Sequence, residues 1–251
     1  MPRFIPPAPA VPTPALPLRV VGDVHLCPEE PEVLEAFVAW LETLEGQGGS
    51  LVLLGDIFDL WVGKQQQEDP VPARVLAVMK RLQDSGVQLI YMLGNRDVGF
   101  RGVDPVDFEI WPDPVVTVLG DRRVLFTHGD QLCTADHGYQ AMRRFLNGAG
   151  GKALEHGLPF KARRWLGEGT RGLSKRETGR KPRADMGIDY GEALHWMEKH
   201  GAEAIVAGHV HTGVHHRHPG PPVRDILVLK DWERGGSVIT FDGETLQQVT
   251  P

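Results

Sequence analysis

Five short apolar runs, at residues 18–21, 51–54, 87–92, 124–127 and 204–207, recur along the chain, each rich in Val, Ile and Leu and each ending at a polar motif. Such runs read as buried strands. Between them the pattern changes to that of a helix. Residues 31–44 open on a proline suited to a first helical turn and set Leu34, Phe37, Val38, Leu41 and Leu44 on one face. A second helix is expected from about Asp189 to His200, where Asp189 followed by Glu192 resembles a capping box and Gly201 marks the C-terminal stop. Apolar runs at 225–229 and 237–241 add further strands. The alternation of strands and helices predicts an α/β fold.

The rhythm breaks in two places. Residues 1–17 contain seven prolines, which favours extended, solvated polyproline II and predicts a disordered leader. The segment 137–183 is basic, contains glycine and carries Leu146, Leu154, Leu158, Phe160, Trp165 and Leu166. It is expected to form a helical cap inserted over the active face, the alternative being a peripheral hairpin whose apolar residues pack on the main domain. Residues 18–251 then form one domain with 137–183 as its insertion, a length and a 41% hydrophobic content that can bury a substantial core.

Charge sharpens that view. The net charge of −6 conceals a stretch, 140–185, with 12 Lys and Arg against 4 Asp and Glu, an excess of +8 that leaves −14 for the rest. Such a stretch suits an anionic partner or serves as a solvated helical face. No apolar stretch reaches membrane-spanning length, and the start lacks the unbroken apolar region of a secretory signal, so a cytoplasmic protein is expected. Cys27 and Cys133 have no metal-binding spacing and are expected to be reduced, partly buried thiols.

The polar motifs carry the chemistry. The first run leads into Gly22-Asp23-Val24-His25, where Asp23 and His25, two apart in an extended chain, point to one side and can grip one ion. The second leads into Gly55-Asp56, whose carboxylate can bridge two ions beside a tight glycine turn. The third ends in Gly94-Asn95-Arg96-Asp97, offering an amide oxygen from Asn95. The fourth ends in His128-Gly129-Asp130, and the fifth in Gly208-His209-Val210-His211, whose two imidazoles can split between two ions. Each motif alone is common; five in order at strand ends are a strong signal for a metal centre. Mixed imidazole and oxygen ligation suits manganese, iron or zinc better than magnesium. Asp97 is expected to orient a ligand or Arg96, or simply to shape its turn.

In order and spacing, GDVH, LLGD, GNRD, THGD and GHVH are similar to the motif series of the calcineurin-like metallophosphoesterases, a resemblance covering most of residues 18–240. The resemblance implies a β-sandwich flanked by helices, with one ion held by Asp23, His25, Asp56 and His211 and the other by Asp56, Asn95, His128 and His209. It also implies that a hydroxide shared between the ions attacks phosphorus, with Asp56, Asn95 and Arg96 as catalytic residues. Where many members carry His after the asparagine, this chain has Arg96, a permanent forked phosphate ligand and a poor proton donor, which fits a pyrophosphate substrate with a good leaving group.

More specifically, DVHLCPEEP, LGDIFDLWVG, HGDQLCTADHGYQAMRR, the Ser174-Lys175 region and Val228-Leu229-Lys230-Asp231-Trp232 resemble the UDP-2,3-diacylglucosamine pyrophosphatases of lipid A biosynthesis. That resemblance implies hydrolysis to UMP and 2,3-diacylglucosamine 1-phosphate with two divalent ions, usually Mn2+, by a protein attached peripherally to the cytoplasmic face of the inner membrane. Carried over by position, Arg96 would hold phosphate, Asp136 and Tyr139 would contact the glucosamine side, and Arg171, Ser174 and Lys181 would come from the cap. The sequence departs from the family at DVGFRGVDP after Arg96 and at Thr178, which bears on acyl-chain selectivity. Rival readings are a broader phosphodiesterase of nucleotide substrates and a scaffold that has lost catalysis. A nuclease is disfavoured by the acidic balance and the lack of a basic groove with interleaved aromatics. His215, His216 and His218 are expected to form an exposed turn.

Overall fold

Period-two alternation within the strands sorts their side chains onto two sides, and the structure is built on that sorting. The computed structural model describes residues 5–134, 157–178 and 187–251. Within them β1 (Leu18–Val21), β2 (Ser50–Leu53), β3 (Gln88–Met92) and β4 (Glu109–Trp111) run parallel, and β10 (Val238–Phe241) and β11 (Leu246–Val249) add antiparallel at the β1 edge. The sheet order is β11-β10-β1-β2-β3-β4. A second sheet has the order β5-β6-β7-β9-β8, from β5 (Val115–Leu119), β6 (Arg122–Thr127), β7 (Ala204–Ala207), β8 (His215–His218) and β9 (Arg224–Val228). β6, β7 and β9 are parallel; β5 and β8 are antiparallel edges.

Leu18, Val20, Val52, Leu54, Ile90 and Met92 from the first sheet meet Val115, Val124, Phe126, Ala204, Val206 and Leu227 from the second in one buried layer. The intervening residues face outward under helices. Val21, Leu51, Leu53, Leu89 and Tyr91 pack beneath α1 (Pro31–Thr43) and α2 (Pro70–Asp84), through Phe37, Leu41, Val75, Met79 and Leu82. Leu125, Ile205, Ile226 and Val228 pack against Trp196 and Met197 of a further helix, Tyr190–His200. Each such fully buried large side chain contributes about 1.5–3 kcal/mol over an exposed one. The result is two sheets face to face with helices outside, an α/β sandwich. Cys27 and Cys133 are buried thiols that form no disulfide.

Part of the expected cap is α3 (Phe160–Thr178), so the helix Tyr190–His200 is α4. α3 rests on the loop that follows Asp56: Arg163 Nη1 donates to Val62 O at 2.6 Å, and Arg164 Nη1 donates to Asp69 Oδ2 at 2.9 Å. A Cβ at Gly167 would lie 2.8 Å from Leu60 Cδ2, so a side chain there would push the Leu60 side chain aside. Trp165 and Leu166 are left exposed, at 73% and 42%.

Three local expectations are corrected. Residues 5–17 are not a solvated leader but lie along the β5 edge and reach α4. Val11 N donates to Val116 O, Val116 N donates to Pro9 O, and Ile5 is buried against α4, whose Lys199 and His200 hold Ile5 O and Pro6 O. Extended proline-rich backbone can pair with an edge strand wherever a non-proline N–H is available, and Val11 supplies one. At α4, Asp189 does cap Glu192 N at 3.1 Å, but Glu192 turns inward to accept from Trp196 Nε1 while Asp189 N donates to Leu132 O, so the reciprocal half of a capping box is absent. His215, His216 and His218 form no turn but the edge strand β8, with His215 Nε2 at 3.0 Å from Asp225 Oδ1.

Candidate metal centre

All five motifs arrive at one end of the sandwich because β1, β2 and β3 are parallel in one sheet and β6 and β7 are parallel in the other. The chain does not leave those strands in extended form. Among the described residues, the non-glycine positions with positive φ are Asp23, His25, Asp56, His209 and His211, at 53° to 70°. All five are ligands expected from the sequence motifs. Left-handed backbone is costly for residues with a Cβ and tends to gather where function requires it. Asp23 and His25 therefore face one way for a reason other than strand alternation. They sit in a left-handed turn pinned to the next motif, with Asp23 N donating to Gly55 O and His25 N to Asp56 O.

The glycines of the motifs are explained by close approach. A Cβ on Gly94 would stand 2.2 Å from Asp56 Oδ1, and one on Gly208 would stand 2.4 Å from Asp23 Oδ2. Both carboxylates lie against bare backbone, and that backbone holds them: Arg96 N donates to Asp56 Oδ1 at 2.8 Å, and His209 N donates to Asp23 Oδ2 at 2.8 Å.

With those oxygens fixed, the remaining donors converge. His25 Nε2 is 3.2 Å from His211 Nε2, which is 3.5 Å from Asp23 Oδ1. Beside this group, His128 Nε2 is 3.6 Å from Asp56 Oδ2 and 3.1 Å from Asn95 Oδ1, which is 3.0 Å from His209 Nδ1. Asp23 belongs to both clusters, with His25 and His211 on one side and with Asp56 and His128 on the other. Asp23 Oδ1 is fully buried without a hydrogen-bond partner. An orphaned carboxylate oxygen beside facing imidazole nitrogens is an arrangement that divalent cations satisfy and that hydrogen bonding alone does not. Asp23, His25, Asp56, His128 and His211 thus fit divalent-cation binding.

Further residues support the ligands from behind, Asp97 among them, whereas Asp113 and Asp231 carry no role that the sequence reveals. Asp97 Oδ2 accepts from both Asp56 N and Gly94 N at 2.9 Å, and its Oδ1 accepts from Tyr91 Oη at 3.1 Å. It fixes the backbone of two motifs at once. His128 Nδ1 lies 3.0 Å from Leu54 O, and His211 Nδ1 lies 3.3 Å from Asp231 Oδ2. Asp113 Oδ1 accepts from Thr127 Oγ1 and His128 N, steadying the fourth motif. Asp231 stood in a motif without a role, and no spacing rule reaches across the twenty residues from His211.

Charges in the cluster set one another's protonation. Burial lowers His25 to about 3 and His209 to about 4. Burial would lower His128 and His211 as well, but Asp56 and Asp23 raise His128 to about 9, while Asp23 and Asp231 raise His211 to about 10. Burial, with Asp97 and Asp23 adding to it, raises Asp56 to about 7, whereas Asp23 is held well below the usual carboxylate range by His211 in spite of its burial. In the protein alone, two imidazolium charges thus take the place of cations.

Among the expected substrate contacts, Arg96 stands at the rim of the centre, its charge acting on His25 and its buried Nε without a partner. Arg171 and Ser174 lie on α3 at positions whose side chains are not described, and Asp136, Tyr139 and Lys181 lie outside the described residues.

The model of the calcineurin-like phosphoesterase family matches residues 16–213. A UDP-2,3-diacylglucosamine hydrolase from Pseudomonas putida is 34% identical over 234 residues, covering 92% of this chain and 97% of that protein. One from Shigella dysenteriae is 32% identical over 234 residues, 91% of this chain and 96% of that one. Among solved structures, a dimetal phosphatase from Danio rerio aligns with a TM-score of 0.47 at 12% identity, over 95% of this chain and 99% of the other. With a family model spanning all five motifs, the chain belongs to the calcineurin-like phosphoesterases.

Proposed function

We propose that this protein hydrolyses the pyrophosphate of UDP-2,3-diacylglucosamine, giving UMP and 2,3-diacylglucosamine 1-phosphate for lipid A biosynthesis. The observation that carries a hydrolytic centre is the convergence of Asp23, His25 and His211 beside Asp56, Asn95, His128 and His209. The substrate is supported by the near full-length similarity to proteins named UDP-2,3-diacylglucosamine hydrolase.

Asp23, His25, Asp56 and His211 would hold one divalent cation, and Asp56, Asn95, His128 and His209 a second, with Mn2+ suited to this mixed donor set. Such a pair supplies Lewis-acid stabilisation of phosphoryl charge and lowers the pKa of a shared water. The chain's own residues place the substrate. Asp56 is locked between Arg96 N and the Asp97 carboxylate, so its oxygens keep one orientation toward both halves of the site. Arg96 presents a forked cation to phosphate oxygens, and it need not give up a proton because the departing phosphate monoester is already stable as an anion.

The sugar side falls to Asp136 and Tyr139, and the cap contributes Arg171, Ser174 and Lys181. Exposed Trp165 and Leu166, on a helix that also carries Lys161, offer an apolar and basic face to acyl chains and to an anionic membrane surface. The protein would then act at the cytoplasmic face of the inner membrane as a peripheral protein; no helix among the described residues is long and apolar enough to cross it.

The test is release of UMP from UDP-2,3-diacylglucosamine by the Mn2+-loaded protein, beside Asp56→Asn, with UDP-glucose and a generic phosphodiester as controls. UMP from the lipid alone, lost in the variant, supports the reading. Turnover of the generic diester without the lipid would retain the metal centre and overturn the substrate.

A further inference from the structure

Two imidazoles of the candidate centre have a defined partner behind them. His128 turns Nδ1 to a neutral carbonyl, Leu54 O, at 3.0 Å. His211 turns Nδ1 to a carboxylate, Asp231 Oδ2, at 3.3 Å. Asp231 is 5% exposed and held rigidly. It follows β9, its Oδ1 accepts from Arg234 N at 3.0 Å to cap a short 3-10 turn, and its O accepts from Gly236 N. Trp232, the next residue, is wedged against Phe37 and Trp40 of α1. The second carboxylate oxygen lies outside the cap, facing His211 Nδ1 at 3.3 Å and the exposed Arg234 Nη1 at 3.6 Å.

A carboxylate at Nδ1 keeps a proton there, so that Nε2, which faces Asp23 Oδ1 at 3.5 Å and His25 Nε2 at 3.2 Å, is the nitrogen left to take a cation. It also makes that nitrogen a stronger donor than a carbonyl partner does, and loss of such a partner typically weakens metal affinity about 10–100-fold. We infer that Asp231 is a positioning residue for His211 and makes the half of the centre built from Asp23, His25 and His211 the tighter-binding half, loaded first. This rests on the two-metal reading above and adds an order to it.

Calorimetric titration of Mn2+ into the metal-stripped, full-length protein tests it, comparing wild type with Asp231→Asn. The amide oxygen of Asn can still accept from Arg234 N, so the turn and the melting temperature should survive, while an NH2 donor replaces the charged acceptor behind His211. Two resolvable binding steps are expected in the wild type, with the tighter one weakened about 10–100-fold in D231N and the weaker one unchanged. A positioning role also predicts that kcat at saturating Mn2+ recovers more fully than activity at limiting Mn2+. Two wild-type steps that keep their affinities in D231N would overturn the inference alone. A wild type that binds no Mn2+ would overturn the metal-centre reading together with it.

Discussion

His25 Nε2 and His211 Nε2 face each other at 3.2 Å across 186 residues of chain. Two lone pairs cannot share that distance, so either a cation or a proton must lie there. Of the two imidazoles, His211 is the one suited to carry the proton, since Asp23 and Asp231 raise it to about 10 while burial lowers His25 to about 3.

Stability of the metal-stripped protein should therefore fall as pH rises from neutral. His211 and His128 have folded values raised above 6.5, to about 10 and about 9, so their contribution is complete below pH 6.5 and is lost as pH passes through those values. Bound cations compete with the same protons, so metal binding strengthens over that range. Thermal melts from pH 6.5 to 9 are expected to show a gap between loaded and stripped protein that widens with pH; a gap that narrows would contradict this electrostatic picture.

Gly94→Ala should uncouple activity from folding. Its Cβ would stand 2.2 Å from Asp56 Oδ1, so the carboxylate must move while the apolar layers stay as they are. A displacement on the order of 1 Å in a reacting centre costs about 10²-fold in rate. Loss of that order in kcat/KM is expected, with the circular dichroism spectrum unchanged.

Asp97 separates hydrogen bonding from charge. Replacement by Ala leaves Asp56 N, Gly94 N and Tyr91 Oη without their acceptor, each such loss worth about 1–3 kcal/mol when buried. Asn keeps an oxygen for the two amides and can donate to the Tyr91 oxygen. Urea denaturation should find D97A destabilised by several kcal/mol at least, on the order of two such bonds, and D97N by less than half as much.

Removing residues 1–13 exposes the β5 edge and the α4 surface that Ile5 covers. An uncovered apolar edge strand is a template for association. Light scattering on the truncated protein should show larger species than the full chain gives at equal concentration, together with a lower melting temperature.

The motif-bearing part of the fold was legible because buried strands write themselves as apolar runs, and β1, β2, β3, β6 and β7 each deliver a ligand motif where they end. β8 was not, because an edge strand of sequence His-His-Arg-His needs no apolar residue to pair with β9. The proline-rich start hid its docking for a related reason: its hydrogen bonds depend on β5 being an unpaired edge, a property of the sheet and not of the segment. At the site, residue types and order pointed to Asp23, His25, Asp56, Asn95, His128, His209 and His211. The left-handed turn that sets their directions, and the carboxylates of Asp113 and Asp231 behind them, follow from tertiary contacts that no local pattern encodes.

The central claim is that seven residues from five strand ends hold two ions together, and anomalous diffraction from crystals of the Mn2+-loaded protein tests it most directly. Two peaks about 3.5–4 Å apart are expected, one against Asp23, His25 and His211, the other against Asn95, His128 and His209, with Asp56 between them. A single peak, or peaks away from these side chains, would contradict it.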